Sequence, residues 1–208
     1  MQIEEVRDLP LAGAKLVVYR RFLDDRGYFT ETYRRTDFDK LAPVLGLKSF
    51  EPAQINESRS AAGVVRGLHF QYDPPQGKLV RLLYGRGADL SLDVRRGSPT
   101  YGGMLMVDMT LDPKSGLGQW IWLPPGLAHG NFYLEDSAIE YICDAPYNPA
   151  GEAGLNPLDP GFDLGLCRED LRESFLKLAA RGPIVSPRDL QGLSWADWQK
   201  DPRAPLIV

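Results

Sequence analysis

The sequence predicts an all-β protein: a jelly-roll barrel of antiparallel strands with small helical additions near the N- and C-termini. Two observations carry that expectation. Short apolar or alternating runs recur through the middle of the chain, separated by Gly, Pro and Asp turns. Only brief helical patterns lie between them, which favours a sandwich or jelly roll over βαβ units.

The clearest strand is 88–94, ADLSLDV, where Ala88, Leu90, Leu92 and Val94 alternate with Asp89, Ser91 and Asp93. Period two predicts one packed face and one face in water. Similar runs are KLVVY (15–19), KLVRLLY (78–84), MLMVDM (104–109), WIWLP (120–124) and AIEYIC (138–143). TDFDKLA (36–42) reads as a short helix capped by Thr36 or Asp37. REDLRESFLKLAARG (168–182) reads as a longer one, with acidic residues early, Leu171, Phe175 and Leu178 on one stripe, and Gly182 as a stop. The tail SWADWQKDPRAPLIV brings two tryptophans suited to packing or subunit contacts. A single domain over 1–208 is expected, with a barrel core at about 45–150 and a helical or irregular elaboration at 155–208.

Composition narrows the function. Hydrophobic residues make up 43% and charged residues 25%, as in ordinary globular proteins. The net charge is −4 and no long basic run occurs, so nucleic acid is not an expected partner. The start, MQIEEVRDLPLAG, has acidic residues where a signal peptide needs basic ones, and no apolar stretch approaches the roughly 18 residues of a membrane span. No membrane partner and a cytoplasmic location are therefore expected. Cys143 and Cys167 lack CxxC spacing, which predicts buried reduced thiols.

The chain holds two histidines, His69 and His129. His69 stands in RGLHFQ (66–71), where strand alternation places Arg66, Leu68 and Phe70 on one side and Gly67, His69 and Gln71 on the other. The same periodicity points Ile139, Tyr141 and Cys143 one way. His129 ends LPPGLAHG, and this PxGxxH pattern resembles the second motif of the cupin superfamily, whose small jelly-roll barrels hold a metal or a substrate. A metal-binding cupin supplies HxH and then Glu, because several ligands must converge on one ion. Here the first position reads HFQ, so no metal and no cofactor are expected.

The wider motif set is FLDDRGYFTETY (22–33), QINES (54–58), GVVRGLHFQ (63–71), QGKLVR (76–81), LDVRRGSPTYG (92–102) and LPPGLAHG. Together these resemble the dTDP-4-dehydrorhamnose 3,5-epimerases, in family order over roughly residues 15–150. That family consists of metal-free cupins, usually homodimers, which epimerise 4-keto-6-deoxy sugars linked to a nucleoside diphosphate. The resemblance implies that His69 removes the proton beside the ketone, oriented by Asp189 in VSPRD. It implies that Lys78 stabilises the enolate and that Tyr141 returns a proton on the opposite face. Arg26 and Arg66 match diphosphate-gripping positions, and Glu31, Gln54 and Asn56 match polar residues around the ligand. His129 matches a residue that polarises the carbonyl or holds phosphate, and Gln71 is expected at the substrate beside His69.

Two departures stand out. APYNP puts Pro146 before Tyr147 where the family often has two adjacent tyrosines that help sandwich the base, and the family's later WP motif is absent from the longer 155–185 region. The same residues would serve a mono-epimerase of C3 or C5, an epimerase of another nucleotide-linked 4-keto sugar, or a sugar-nucleotide-binding cupin without turnover.

Overall fold

The computed structural model describes residues 1–110, 112 and 114–207. In chain order the strands are β1 (Ile3–Asp8), β2 (Lys15–Arg20), β3 (Phe22–Asp24), β4 (Gly27–Phe29), β5 (Gln54–Ser60), β6 (Val65–Gln71), β7 (Lys78–Tyr84), β8 (Gly87–Asp93), β9 (Met104–Asp108), β10 (Leu117–Leu123), β11 (Leu127–Tyr133), β12 (Ser137–Cys143) and β13 (Glu152–Gly154). The helices are α1 (Arg35–Val44), α2 (Glu169–Ala180), α3 (Pro187–Leu190) and α4 (Trp195–Trp198). One sheet has the order β1-β2-β10-β7-β12-β5, the other β13-β6-β11-β8-β9, and β3 and β4 form a separate hairpin. The named strand pairs are antiparallel. The jelly roll therefore takes in β1 and β2 and begins well ahead of residue 45, where the core was expected to start.

Alternation along each strand sorts the apolar residues into three layers. Leu16, Val80, Leu82, Ile121, Leu123, Leu127 and Ile139 fill the space between the sheets. Val17, Tyr19, Leu79, Trp120 and Trp122 face outward from the six-stranded sheet and are covered by Phe38, Leu41 and Ala42 of α1 together with Phe50. Leu68, Phe70, Leu90, Leu92 and Phe132 face outward from the five-stranded sheet and are covered by the C-terminal segment through Phe162, Leu171, Phe175 and Trp198. Fully burying a side chain of this kind contributes roughly 1.5–3 kcal/mol. Trp195 packs against Tyr101, so both tail tryptophans serve intramolecular packing.

Two expectations need correction. The polar face of β8 is not in water: Asp89, Ser91 and Asp93 are fully buried. The C-terminal segment claims the apolar face of β8 from outside, so the polar face turns into the barrel, where each carboxylate is met by hydrogen-bond donors. Asp93 accepts from the Arg95 guanidinium and from the hydroxyls of Ser98 and Thr100. The second correction concerns α1, which is not capped by Thr36 or Asp37. Arg34 holds the cap position without a side-chain bond, and Asp37 lies in the first turn, paired with the Met1 ammonium. α2 ends as expected, with Gly182 at φ +76° just beyond it.

Candidate active site

A cavity of about 720 Å³ opens between the two sheets. One wall belongs to β6 and β11 and carries Arg66, His69, His129 and Asn131; the facing wall belongs to β5, β7 and β12 and carries Gln54, Asn56, Lys78, Tyr141 and Cys143. The rings of His129 and Tyr141 approach each other edge to face across the gap, with centroids 6.4 Å apart.

His69 Nε2 lies 2.8 Å from Asp189 Oδ1. Asp189 is 6% exposed, on the short α3, and its Oδ2 accepts the Gly67 amide at 3.3 Å. Ser186 caps α3 by accepting the Asp189 N–H, which fixes the carboxylate beneath the ring. An ionised carboxylate only accepts, so Nε2 carries the hydrogen and Nδ1 keeps its lone pair. Burial pulls the His69 pKa below its ordinary value, against the opposing field of the Asp189 carboxylate, so the imidazole is neutral at pH 7. A second pair lies deeper: His129 Nε2 is 2.7 Å from Asp89 Oδ2, and Ser91 donates to the other oxygen of Asp89 at 2.6 Å.

Arg66 stands on the same wall as His69, which alternation did not predict. The register between β6 and β11 pairs His69 with His129 but Arg66 with Asn131, so β6 carries one extra residue at Gly67 and the phase flips there. Gly67 has φ +97°, and a Cβ on it would lie 2.6 Å from the His129 carbonyl oxygen and 2.7 Å from Gly130 Cα. Only glycine fits. Arg66 then donates to Ser60 Oγ and to the Arg59 carbonyl, which holds the guanidinium at the cavity edge.

On the facing wall, no hydrogen bond or ion pair to the Lys78 ammonium occurs among the described residues. Burial lowers its pKa, against the pull of neighbouring negative groups. Tyr141 is shifted upward, chiefly by burial, so the phenol holds its proton at neutral pH. Gln54 donates to Asn56 Oδ1 at 2.8 Å and accepts the Tyr147 N–H at 2.8 Å, which fixes Tyr147 at the mouth.

Three expected site residues stand elsewhere. Gln71 is buried and does not line the cavity. Its amide bonds the carbonyls of Pro74 and Pro146 and the Asn148 N–H, so it anchors the loop that presents Tyr147. Arg26 is 89% exposed on the β3–β4 hairpin and paired with Asp24. Glu31, just beyond that hairpin, pairs with Arg34 and the Met1 ammonium. Sequence reasoning missed Glu152 and Arg188, which pair with each other at the mouth, Glu152 also accepting from Tyr147 Oη at 3.1 Å. Arg188 was within reach, since it adjoins Asp189 in VSPRD; Glu152 had no such signal. No cluster of three or more His, Cys, Asp or Glu side chains that could hold a metal occurs among the described residues.

An antiparallel jelly roll with a His–Asp pair facing a tyrosine and a lysine across a polar cavity defines a cupin-type barrel built for acid–base chemistry. A family model described as dTDP-4-dehydrorhamnose 3,5-epimerase matches residues 8–197. The enzyme of that name from Sinorhizobium fredii is 42% identical over 161 residues, 76% of this chain and 78% of its own. The one from Neisseria gonorrhoeae is 35% identical over 94% of this chain, which spans 54% of that protein's length. The Legionella pneumophila dTDP-6-deoxy-D-glucose-3,5-epimerase, solved with dTDP-4-keto-L-rhamnose, superposes with a TM-score of 0.73 at 29% identity, covering 91% of this chain and 92% of that one. The chain belongs to the dTDP-4-dehydrorhamnose 3,5-epimerase family.

Proposed function

We propose that the chain epimerises a nucleotide-linked 4-keto-6-deoxy sugar, dTDP-4-dehydro-6-deoxyglucose, at C3 and C5. The carrying observation is the opposition of His69 and Tyr141 on facing walls. A sugar ring lying between the sheets shows one face to the base and the other to the acid. Inversion of a carbon requires that a proton leave by one face and another arrive on the opposite one.

Each step has a group suited to it. His69 Nδ1 takes the proton from a carbon beside C4, and the Asp189 carboxylate stabilises the imidazolium that forms. The electron pair moves into an enolate, whose oxygen is met by the Lys78 ammonium, a preorganised charge in a site partly shielded from water. Tyr141 donates its proton to the other face and the ketone is restored. Arg66 and Arg188 flank the mouth, where forked donors suit a diphosphate, and Tyr147 offers its ring to the base.

The positions of Arg26 and Glu31 support a homodimer. They accompany an exposed apolar hairpin, with Phe22 at 49% and Phe29 at 68% exposure. Such an apolar hairpin suits burial against a second copy, and Arg26 and Glu31 stand outside their own cavity on that surface. Both cysteines are free and buried, which fits work in the reducing cytoplasm.

The test is incubation of dTDP-4-dehydro-6-deoxyglucose with the protein in deuterated buffer, read by NMR. Deuterium at C3 and C5 with inverted configuration is expected. Incorporation at one carbon would make the chain a mono-epimerase, and none at either would sink the reading. The UDP-linked sugar in parallel reports the choice of base.

A further inference from the structure

The wall opposite His69 carries a second proton donor that the mechanism above leaves unused. On β12 the inward residues are Ile139, Tyr141 and Cys143. Tyr141 therefore has an apolar neighbour on one side and a thiol on the other. Inward positions two residues apart on a strand stand about 6.6 Å apart, so the phenol and the thiol reach adjacent parts of the same cavity.

The surroundings of Cys143 suit a donor. The thiol is free, and in the sheet register Cys143 lies opposite Lys78 on β7 and opposite Gln54 on β5. Asn56 Nδ2 stands 3.9 Å from Sγ and donates toward it. Burial pushes the thiol up to about 11, so it keeps its proton at neutral pH. A thiolate formed there meets the Lys78 ammonium and the Asn56 amide, two groups that favour negative charge on sulfur. The rest of the wall offers little else. Gln54, Asn56 and Ser58 are poor acids, and Lys78 is needed as a cation at the enolate oxygen.

The reaction has a use for a second acid. C3 and C5 flank the carbonyl carbon on opposite sides, and inverting both requires a proton delivered twice to the face turned away from His69. We propose that Cys143 is the second general acid, protonating the carbon beside C4 that Tyr141 does not serve. The inference rests on the epimerase reading. In the step, the enolate's carbon–carbon π pair becomes the new C–H bond as the S–H bond breaks. The ketone is restored and sulfur keeps the S–H pair as a thiolate, which recovers a proton from solvent. His69, protonated by the substrate, releases that proton to solvent, so the step is neutral in electrons and in protons.

The experiment compares wild type, Cys143→Ala and Tyr141→Phe on dTDP-4-dehydro-6-deoxyglucose, with the configuration at C3 and C5 read by NMR of the product. Each variant is expected to yield a different singly inverted sugar, with inversion at its missing carbon slowed by about 100-fold, the scale of a lost general acid. Thermal melts confirm that both variants fold. Two results would overturn the inference while leaving the epimerase reading intact. One is a Cys143→Ala enzyme that inverts both carbons at the wild-type ratio. The other is an equal fall at both carbons, which marks a packing role. A wild-type protein that inverts neither carbon overturns the epimerase reading and the inference with it.

Discussion

Replacing Asp189 by Asn tests the His–Asp pair with almost no change in shape. Two donors converge on this buried carboxylate, His69 Nε2–H at 2.8 Å and the Gly67 N–H at 3.3 Å. A carboxylate accepts both, whereas an amide has one accepting oxygen. If that oxygen faces His69, the new NH2 meets the Gly67 N–H and leaves a buried donor unpaired. If it faces Gly67, the NH2 meets Nε2, which must then accept, and the ring hydrogen moves to Nδ1, the atom that has to receive the substrate proton. Either way the imidazolium loses its charged partner. A hydrogen bond to a charged group is worth about 1.5–3 kcal/mol and an unpaired buried donor costs about 1–3 kcal/mol. A barrier rise of about 2–4 kcal/mol corresponds to a roughly 30- to 1000-fold fall in kcat. The pH dependence adds a sign. The Asp189 carboxylate, ahead of the charge of Glu152, is the main group opposing the downward effect of burial on His69, so without it the acidic limb of kcat/KM moves to lower pH. Steady-state rates across the pH range measure both effects. An Asn variant within threefold of wild type, or an acidic limb that moves upward, would refute the assigned role of Asp189.

Three further predictions follow from other contacts. Lys78 must stay charged and its pKa is lowered by burial, while that of Tyr141 is raised. The alkaline limb of kcat therefore lies below the ordinary lysine value of about 10.4. Lys78→Met should lose that limb and about 100-fold in kcat, as when a preorganised enolate partner is removed. Gly67→Ala places a Cβ 2.6 Å from the His129 carbonyl oxygen at φ +97°, and should destabilise the fold by at least about 2 kcal/mol in urea titration. Gln71→Leu frees the loop carrying Tyr147 and should raise KM about tenfold, roughly the worth of one or two net hydrogen bonds, with kcat changed much less.

The periodic part of the fold was legible in the sequence. The runs at 15–19, 78–84, 104–109, 120–124 and 138–143 fall on strands except for the terminal residues Met109 and Pro124, and the inward set Ile139, Tyr141 and Cys143 faces the cavity as period two requires. What misled is equally local. Alternation gives two faces but not which of them solvent reaches, and β8 turns its carboxylates inward because the C-terminal segment covers its other side. Alternation also fails across a bulge. Gly67 adds one residue to β6 and carries Arg66 to the side of His69, a shift that depends on contact with Gly130 from a strand some 60 residues away. Within the site, His69, Lys78, Tyr141 and Asp189 line one cavity, although 120 residues separate the His from the Asp. Arg26 and Glu31 do not, because the motif that holds them forms an exposed hairpin.

The measurement that bears most directly on the account is deuterium uptake by dTDP-4-dehydro-6-deoxyglucose in the presence of His69→Ala and of Tyr141→Phe. With the base on one wall and the acid on the other, exchange and inversion must come apart. Tyr141→Phe should still exchange deuterium, taken up and returned through His69 on one face, while losing inversion at the carbon it serves. His69→Ala should exchange at neither carbon. Sustained exchange in a folded His69→Ala protein would show that another group removes the proton, and the central claim would fail.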